Sequence, residues 1–348
     1  MLTEKFNGLI NKYLNACIYF VKPSVQIVLM LVTIVIFYAI SFWPVRNFVT
    51  NDPSPSLTEV VTSTGKPVKT GLYIRNFMNF DILQNTFVVD AILWFEADRS
   101  VSISTLSKFI LGKGEITKQS EPIIEELPNN KQLIRYDVRL TFPSNLNHQL
   151  FPFGDHTLFI NLSNRSANVD DIYFVSSLDS FVVAESIYTV GWRLHKTNVK
   201  SGQTIIELDK TNSSKKIYAP RTVFKIDFKD ISSRELWLIV FPLLIFFFVA
   251  MFSFSVDPEK YYALKSSMAT TSLSAALSYR YVIQNLAPKV EYAMFSDYIF
   301  FLFLIGIFLA VITNLLIQPK EYKITGLVVL GFYFLINFSW AALIFWFF

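Results

Sequence analysis

The chain has 348 residues, with 31 Lys and Arg against 27 Asp and Glu, a formal net charge of +4 too mild to argue for nucleic acid as a partner. Charged residues make up 17% of it, against about 25% in ordinary soluble proteins, while hydrophobic residues reach 52% and include 35 Phe. That much apolar surface excludes a disordered chain and a purely soluble one.

The lone cysteine, Cys17, allows no intrachain disulfide. The only histidines are His148, His156 and His195, and none of the usual spacings for metal binding, phosphate binding or nucleophilic catalysis occurs. No catalytic residue, metal or cofactor is therefore expected.

Residues 1–47 read as a leader and a transmembrane anchor. The apolar run Ser24–Trp43 is long enough to cross a hydrocarbon core of about 30 Å. It is too long for a signal-peptide core, and a polar leader precedes it, so it reads as uncleaved. Within that leader, Leu2–Phe20 is weakly amphipathic and fits an interfacial helix or the arm of a helical hairpin. Residues 48–65 are a linker rich in Ser, Thr and Pro.

The period then changes. Gly71–Arg75, Thr86–Ala97, Lys131–Phe142, Thr157–Leu162, Phe181–Tyr188, Gly191–Val199, Thr204–Leu208 and Arg221–Phe228 are β-branched and aromatic runs separated by turn residues. They predict an antiparallel β-sandwich over 66–233, with no crossover-connected parallel sheet. From 234 to 348 the chain returns to the membrane, with spans predicted at 237–256, 262–286, 297–317 and 324–348. Lys5, Lys12 and Lys22 before the anchor favour a cytoplasmic N-terminus. The sandwich then lies outside, and 262–286 must cross as well, giving five spans.

That segment is the polar one. Between Ser266 and Ser278, seven of thirteen residues are Ser or Thr. Ser267, Thr271, Ser274 and Ser278, spaced four, three and four apart, share one helical face. Two physical explanations compete. Hydroxyl and small residues let helices pack closely, or they line a watery pore and replace part of an ion's hydration shell. A pore needs several copies around an axis, hence a closed cyclic oligomer.

Four patches bear on the choice. The stretch Asn145–Asn164 resembles the signature loop of pentameric ligand-gated ion channels, the Cys-loop receptor superfamily, through Phe151, Pro152 and Phe153. Gly71–Asp98 is similar to that family's first two strands, with Asp90 and Trp94 in familiar places. Lys225–Pro242 resembles the approach to its first channel helix. Asn285–Asp297 resembles the loop joining its second and third channel helices, with Pro288, Tyr292 and Asp297 matching. The order is that of prokaryotic-type members, with an added N-terminal transmembrane helix. The two family cysteines are absent, Gly154 replaces the loop's Asp with Asp155 one place later, and His156 takes a Gln position.

The resemblance implies a homopentameric gated ion channel in the bacterial inner membrane, its sandwich outside or periplasmic. Its partners would be sister subunits, membrane lipid, a permeant ion and an unknown ligand. The pore would be lined by Ser267, Thr271, Ser274, Ser278 and Tyr281. Gating would be coupled through Phe151, Pro152, Phe153, Asp155, Arg234 and Pro288, with Lys229 a second candidate for the basic partner. Phe174 and Tyr218 are candidate ligand contacts, though packing roles fit them better. Counting back from Pro288 puts the mid-pore gating position on Ser274, which moves the constriction to Tyr281 or Leu264; a shift of one residue would instead turn Leu273 inward. Selectivity is left open between Glu259 and Lys265. The competing expectation is a non-conducting, membrane-anchored β-sandwich receptor or assembly protein.

Overall fold

The computed structural model describes residues 18–47, 52–59, 64–185, 187, 189, 191–209, 215–230, 234–316 and 322–348. Most of the predicted leader helix with Lys5, Lys12 and Cys17, parts of the linker, the tip at 210–214 and the joint at 317–321 lie outside the described residues. By contact the chain divides into a helical unit within Met1–Phe48, His148–Phe153 and Ser233–Phe348, and a sandwich unit within Val49–Asn147 and Gly154–Ser232.

The sandwich unit comprises β1 (Lys66–Asp81), β2 (Thr86–Asp98), β3 (Ile110–Leu111), β4 (Glu115–Gln119), β5 (Ile123–Leu127), β6 (Lys131–Pro143), β7 (His156–Ser163), β8 (Ile172–Val175), β9 (Phe181–Val183), β10 (Trp192–Glu207) and β11 (Lys216–Asp230). One sheet runs β4-β6-β2-β1-β8, with β5 on β6 and β9 on β1; the other runs β10-β11-β7-β3. Successive side chains of a strand point to opposite faces. In β2 this buries every second residue, Phe87, Val89, Ala91, Leu93, Phe95 and Ala97. These pack with Leu158, Ile160 and Leu162 of β7 and Phe224, Ile226 and Phe228 of β11 in a single core. On the opposite face the Trp94 ring covers Gly71, where a Cβ would lie 2.0 Å from the indole, and the Lys69 ammonium stands 5.7 Å from that ring's centroid.

Three features differ from the sequence reading. The antiparallel sheets carry two short parallel ladders, β8 and β9 against β1. The edge strands β4 and β5 escape periodicity because they are charged and almost wholly exposed, a common protection of sheet edges. The two strands expected on either side of Lys200–Gln203 are one continuous strand, β10. Gly202 is not a turn there: a Cβ at that position would lie 2.5 Å from the Thr58 carbonyl, so the glycine admits the crossing chain.

The helical unit comprises α1 (Pro23–Asn47), α2 (Arg234–Phe252), α3 (Pro258–Leu286), α4 (Phe295–Leu316) and α5 (Tyr322–Phe347). Pro23–Phe42, Arg234–Ser255, Phe295–Leu316 and Ile324–Phe347 are each long and apolar enough to cross a membrane. The chain is thus a membrane protein: an N-terminal apolar helix, a β-sandwich, then a four-helix bundle whose second helix is the polar one. Asp257 caps α3 by accepting from the Glu259 amide at 3.0 Å, and Pro258 takes a first-turn position. The backbone leaves helical geometry at Tyr261 (φ −136°, ψ 42°), so the regular helix begins at Tyr262.

Helix α1 is built into the bundle. Its polar residues Gln26, Thr33 and Ser41 are buried on one side with Phe37. The Gln26 amide donates to Ser255 Oγ at 2.8 Å, the Asn337 amide to Thr33 Oγ1 at 3.0 Å, and the Trp340 indole to Ser41 Oγ at 3.2 Å. Phe37 stacks on Trp340 at 4.3 Å, nearly parallel. In a hydrocarbon setting such buried polar contacts specify which helix faces which.

Candidate functional site

The burial pattern of α3 separates its two faces. Lys265, Ala269, Ser272, Ala276 and Ile283 are buried against the chain's own helices. Ser267, Thr271, Ser274, Ser278 and Tyr281 are exposed on another face, Tyr281 at 70%. The one buried hydroxyl among these, on Ser272, is satisfied within its own helix by the Met268 carbonyl at 2.8 Å. The exposed face is wider than the predicted stripe, because Thr270, Leu277 and Leu264 also lie on it, whereas Leu273 packs against the bundle core. Lys265 faces away from the stripe, 5% exposed, its ammonium 5.8 Å from the Phe254 ring centroid.

Two contacts lock α3 to its neighbours. Pro242 inside α2 has no N–H, which leaves the Leu238 carbonyl without an intrahelical donor; the Tyr279 hydroxyl of α3 donates to that carbonyl. At the next residue of α3, Arg280 Nη1 pairs with Asp297 Oδ1 of α4 at 2.5 Å, and its guanidinium lies 5.2 Å from the Phe300 ring centroid. Asp297 Oδ2 also accepts from the Met294 amide at 2.8 Å. Sequence reasoning passed over this pair. Its signal was Asp297, the one charged residue of the apolar helix α4, where an unpartnered charge is expensive.

The signature loop meets the same helix end. Leu150, Phe151, Pro152 and Phe153 are buried within the helical unit, and the Phe151–Pro152 peptide is cis. The first N–H groups of a helix have no intrahelical acceptor. Here the Phe295 amide donates to the Gln149 carbonyl at 2.7 Å and the Ser296 amide to the Phe151 carbonyl at 2.9 Å. The Tyr292 hydroxyl accepts from the His148 amide at 2.9 Å, and the Phe153 ring packs 5.6 Å from Phe295 and 5.4 Å from Phe348. Loop carbonyls thus cap α4 directly ahead of the residue that holds Arg280.

Of the other candidates, Pro288 is buried ahead of α4, Arg234 opens α2 with its side chain exposed, and Asp155 is half-buried in the sandwich unit. Arg234 and Asp155 belong to different units. Phe174 is corrected to a core residue: it is 2% exposed and packs 5.9 Å from Phe95, so it has no open face for a ligand. Tyr218 is 39% exposed on β11. On the outer face of β2 and β6, Arg139 donates to both oxygens of Asp90, at 2.6 and 2.9 Å, and this holds the Asp90 carboxyl below its ordinary range.

No family model matches the chain. Among curated proteins it is similar to a proton-gated ion channel of Gloeobacter violaceus, 23% identical over 286 residues that cover 75% of this chain and 74% of the relative.

Proposed function

We propose that the chain is a subunit of a gated ion channel, a homopentamer in which five copies of α3 line an axial pore. The observation that carries the reading is the face of α3 that its own bundle leaves uncovered, which bears Ser267, Thr271, Ser274 and Ser278. A single chain cannot enclose a path for ions, so the wettable faces must meet around a symmetry axis. Exposure of Ser274 with packing of Leu273 supports the register with Ser274 inward. The constriction then falls at Tyr281 or Leu264.

The sandwich, over 66–233, acts as the sensor, and 234–348 as the channel domain, with α1 as a fifth, peripheral span. By the basic residues of the short loops, the N-terminus is cytoplasmic and the sandwich lies outside or in the periplasm of a bacterial inner membrane. Because the relative is proton-gated, the proton is the first stimulus to test. Tyr218 is the remaining candidate for a ligand contact. The signal passes through Phe151, Pro152, Phe153 and Asp155 to Arg234, Pro288 and the start of α4, and from Asp297 to Arg280 on α3.

The non-conducting receptor or assembly reading keeps one observation on its side: Leu264, Leu277 and Tyr281 share the open face, and a dry contact between copies would use them. Planar-bilayer recording on the purified protein during acid steps separates the two. The channel reading expects proton-evoked current, and a pentamer silent under every stimulus tested would favour the alternative.

A further inference from the structure

The segment from Asp52 to Thr58 is strapped along the sandwich. Thr58 and Gln203 exchange backbone hydrogen bonds at 3.1 and 2.8 Å, and Arg221 donates to the Ser56 carbonyl at 3.0 Å. At the upstream end, the Asp52 side chain has no exposed surface. Its Oδ1 accepts from the Asn147 amide at 2.7 Å and its Oδ2 from the Thr157 amide at 2.6 Å. His156 Nδ1 lies 3.5 Å from the same Oδ2.

The positions of these two amides give the contact its meaning. Asn147 directly precedes the His148–Phe153 segment that packs with the helices, and Thr157 follows it on β7. One carboxylate therefore grips both legs of the signature loop, neither of which carries a cysteine. Bonds from backbone N–H to an ionised carboxylate are short and strong, and a buried carboxylate deprived of its donors is costly, so the grip has one favourable arrangement.

We infer that Asp52 is a positioning residue for gating. It closes the base of the signature loop, so that movement of the sandwich reaches the loop carbonyls that cap α4 instead of being absorbed by splaying of the two legs. This rests on the gated-channel reading, and it gives the N-terminal segment a task beyond anchoring: the strap that carries Asp52 follows α1 by a few residues.

The test compares the full-length protein with Asp52→Asn, an isostere that loses one acceptor oxygen and the charge, and with Gly202→Val, which crowds the Thr58 end of the strap and leaves Asp52 intact. Two readouts are used: hydrogen exchange at the Asn147 and Thr157 amides, and the half-activating proton concentration in proteoliposomes with unitary current recorded alongside. Asp52→Asn should speed exchange by about tenfold at the amide that loses its acceptor, the worth of one such bond, and by less at the other, which keeps a neutral acceptor. It should shift half-activation by about fivefold or more with unitary current unchanged, which a pore defect or general unfolding would not do. Gly202→Val should shift half-activation in the same direction by less. Wild-type exchange rates in Asp52→Asn would overturn the clasp. Faster exchange with unmoved half-activation would overturn its role in coupling. A wild-type protein that passes no current would remove the channel reading and the coupling role with it, while exchange would still decide whether the clasp exists.

Discussion

Arg280 on α3 and Asp297 on α4 form an ion pair at 2.5 Å, and the Asp297 carboxylate also closes the first turn of α4 through the Met294 amide. The pair joins the polar helix to the helix end that the signature loop caps. Losing one partner strands a charge inside the bundle. Asp297→Asn and Arg280→Met should each destabilise the protein by about 2–3 kcal/mol, at the low end because Arg280 keeps 28% of its side chain exposed. Asp297→Asn should cost more, since it also weakens the turn. Thermal unfolding of both single variants and the double variant checks this; the double variant should lose less than the two singles together.

The Asp90–Arg139 pair gives the sandwich a pH signature. Hydrogen bonds from Arg139 hold Asp90 below its ordinary value of 3.8. A carboxyl depressed in the folded state contributes stability that is present above its unfolded value and lost as pH falls through its folded value. Asp90→Asn should therefore be less stable than wild type at neutral pH, and the two should converge below pH 3.8. Hydrogen exchange along β2 and β6, followed across that range, reports the difference.

The seam between α1 and α5 should depend more on shape than on any single polar contact. Removing one hydrogen bond, as in Thr33→Val, should cost about 0.6 kcal/mol. Phe37→Ala leaves a hole beside the buried Trp340 ring and should cost about 2–4 kcal/mol. Tryptophan emission during thermal unfolding in detergent distinguishes the two magnitudes.

Much of this was legible in the residues, for reasons that differ by element. The strict alternation of β2 wrote its buried face into the sequence, and the hydroxyl spacing of α3 wrote its exposed one. Gly202 misled because a glycine needed for a crossing chain looks like a glycine needed for a turn, and Thr58 is far away in sequence. Gln26, Thr33 and Ser41 lie on one side of α1, yet nothing local says that Ser255, Asn337 and Trp340 will meet them. Phe174 could be weighed as a ligand contact only while its neighbours were unknown; Phe95 beside it decides for the core. The Asp52 grip joins residues about a hundred positions apart, beyond the reach of any periodicity.

Ser274→Leu should lower channel current, by closing a wettable face with a bulky apolar ring at mid-helix. Single-channel recording checks it, and an unchanged current would argue for a different register of α3.

The most direct measurement is thiol accessibility on the intact, membrane-embedded protein, in a background where Cys17 is replaced by Ser. Ser278→Cys should react with a water-soluble thiol reagent while Ala276→Cys stays protected, because the proposed pore would wet the exposed side of α3, whereas Ala276 is buried against its own bundle. Protection at position 278 in the assembled protein would mean a dry contact there, and the channel account would fail.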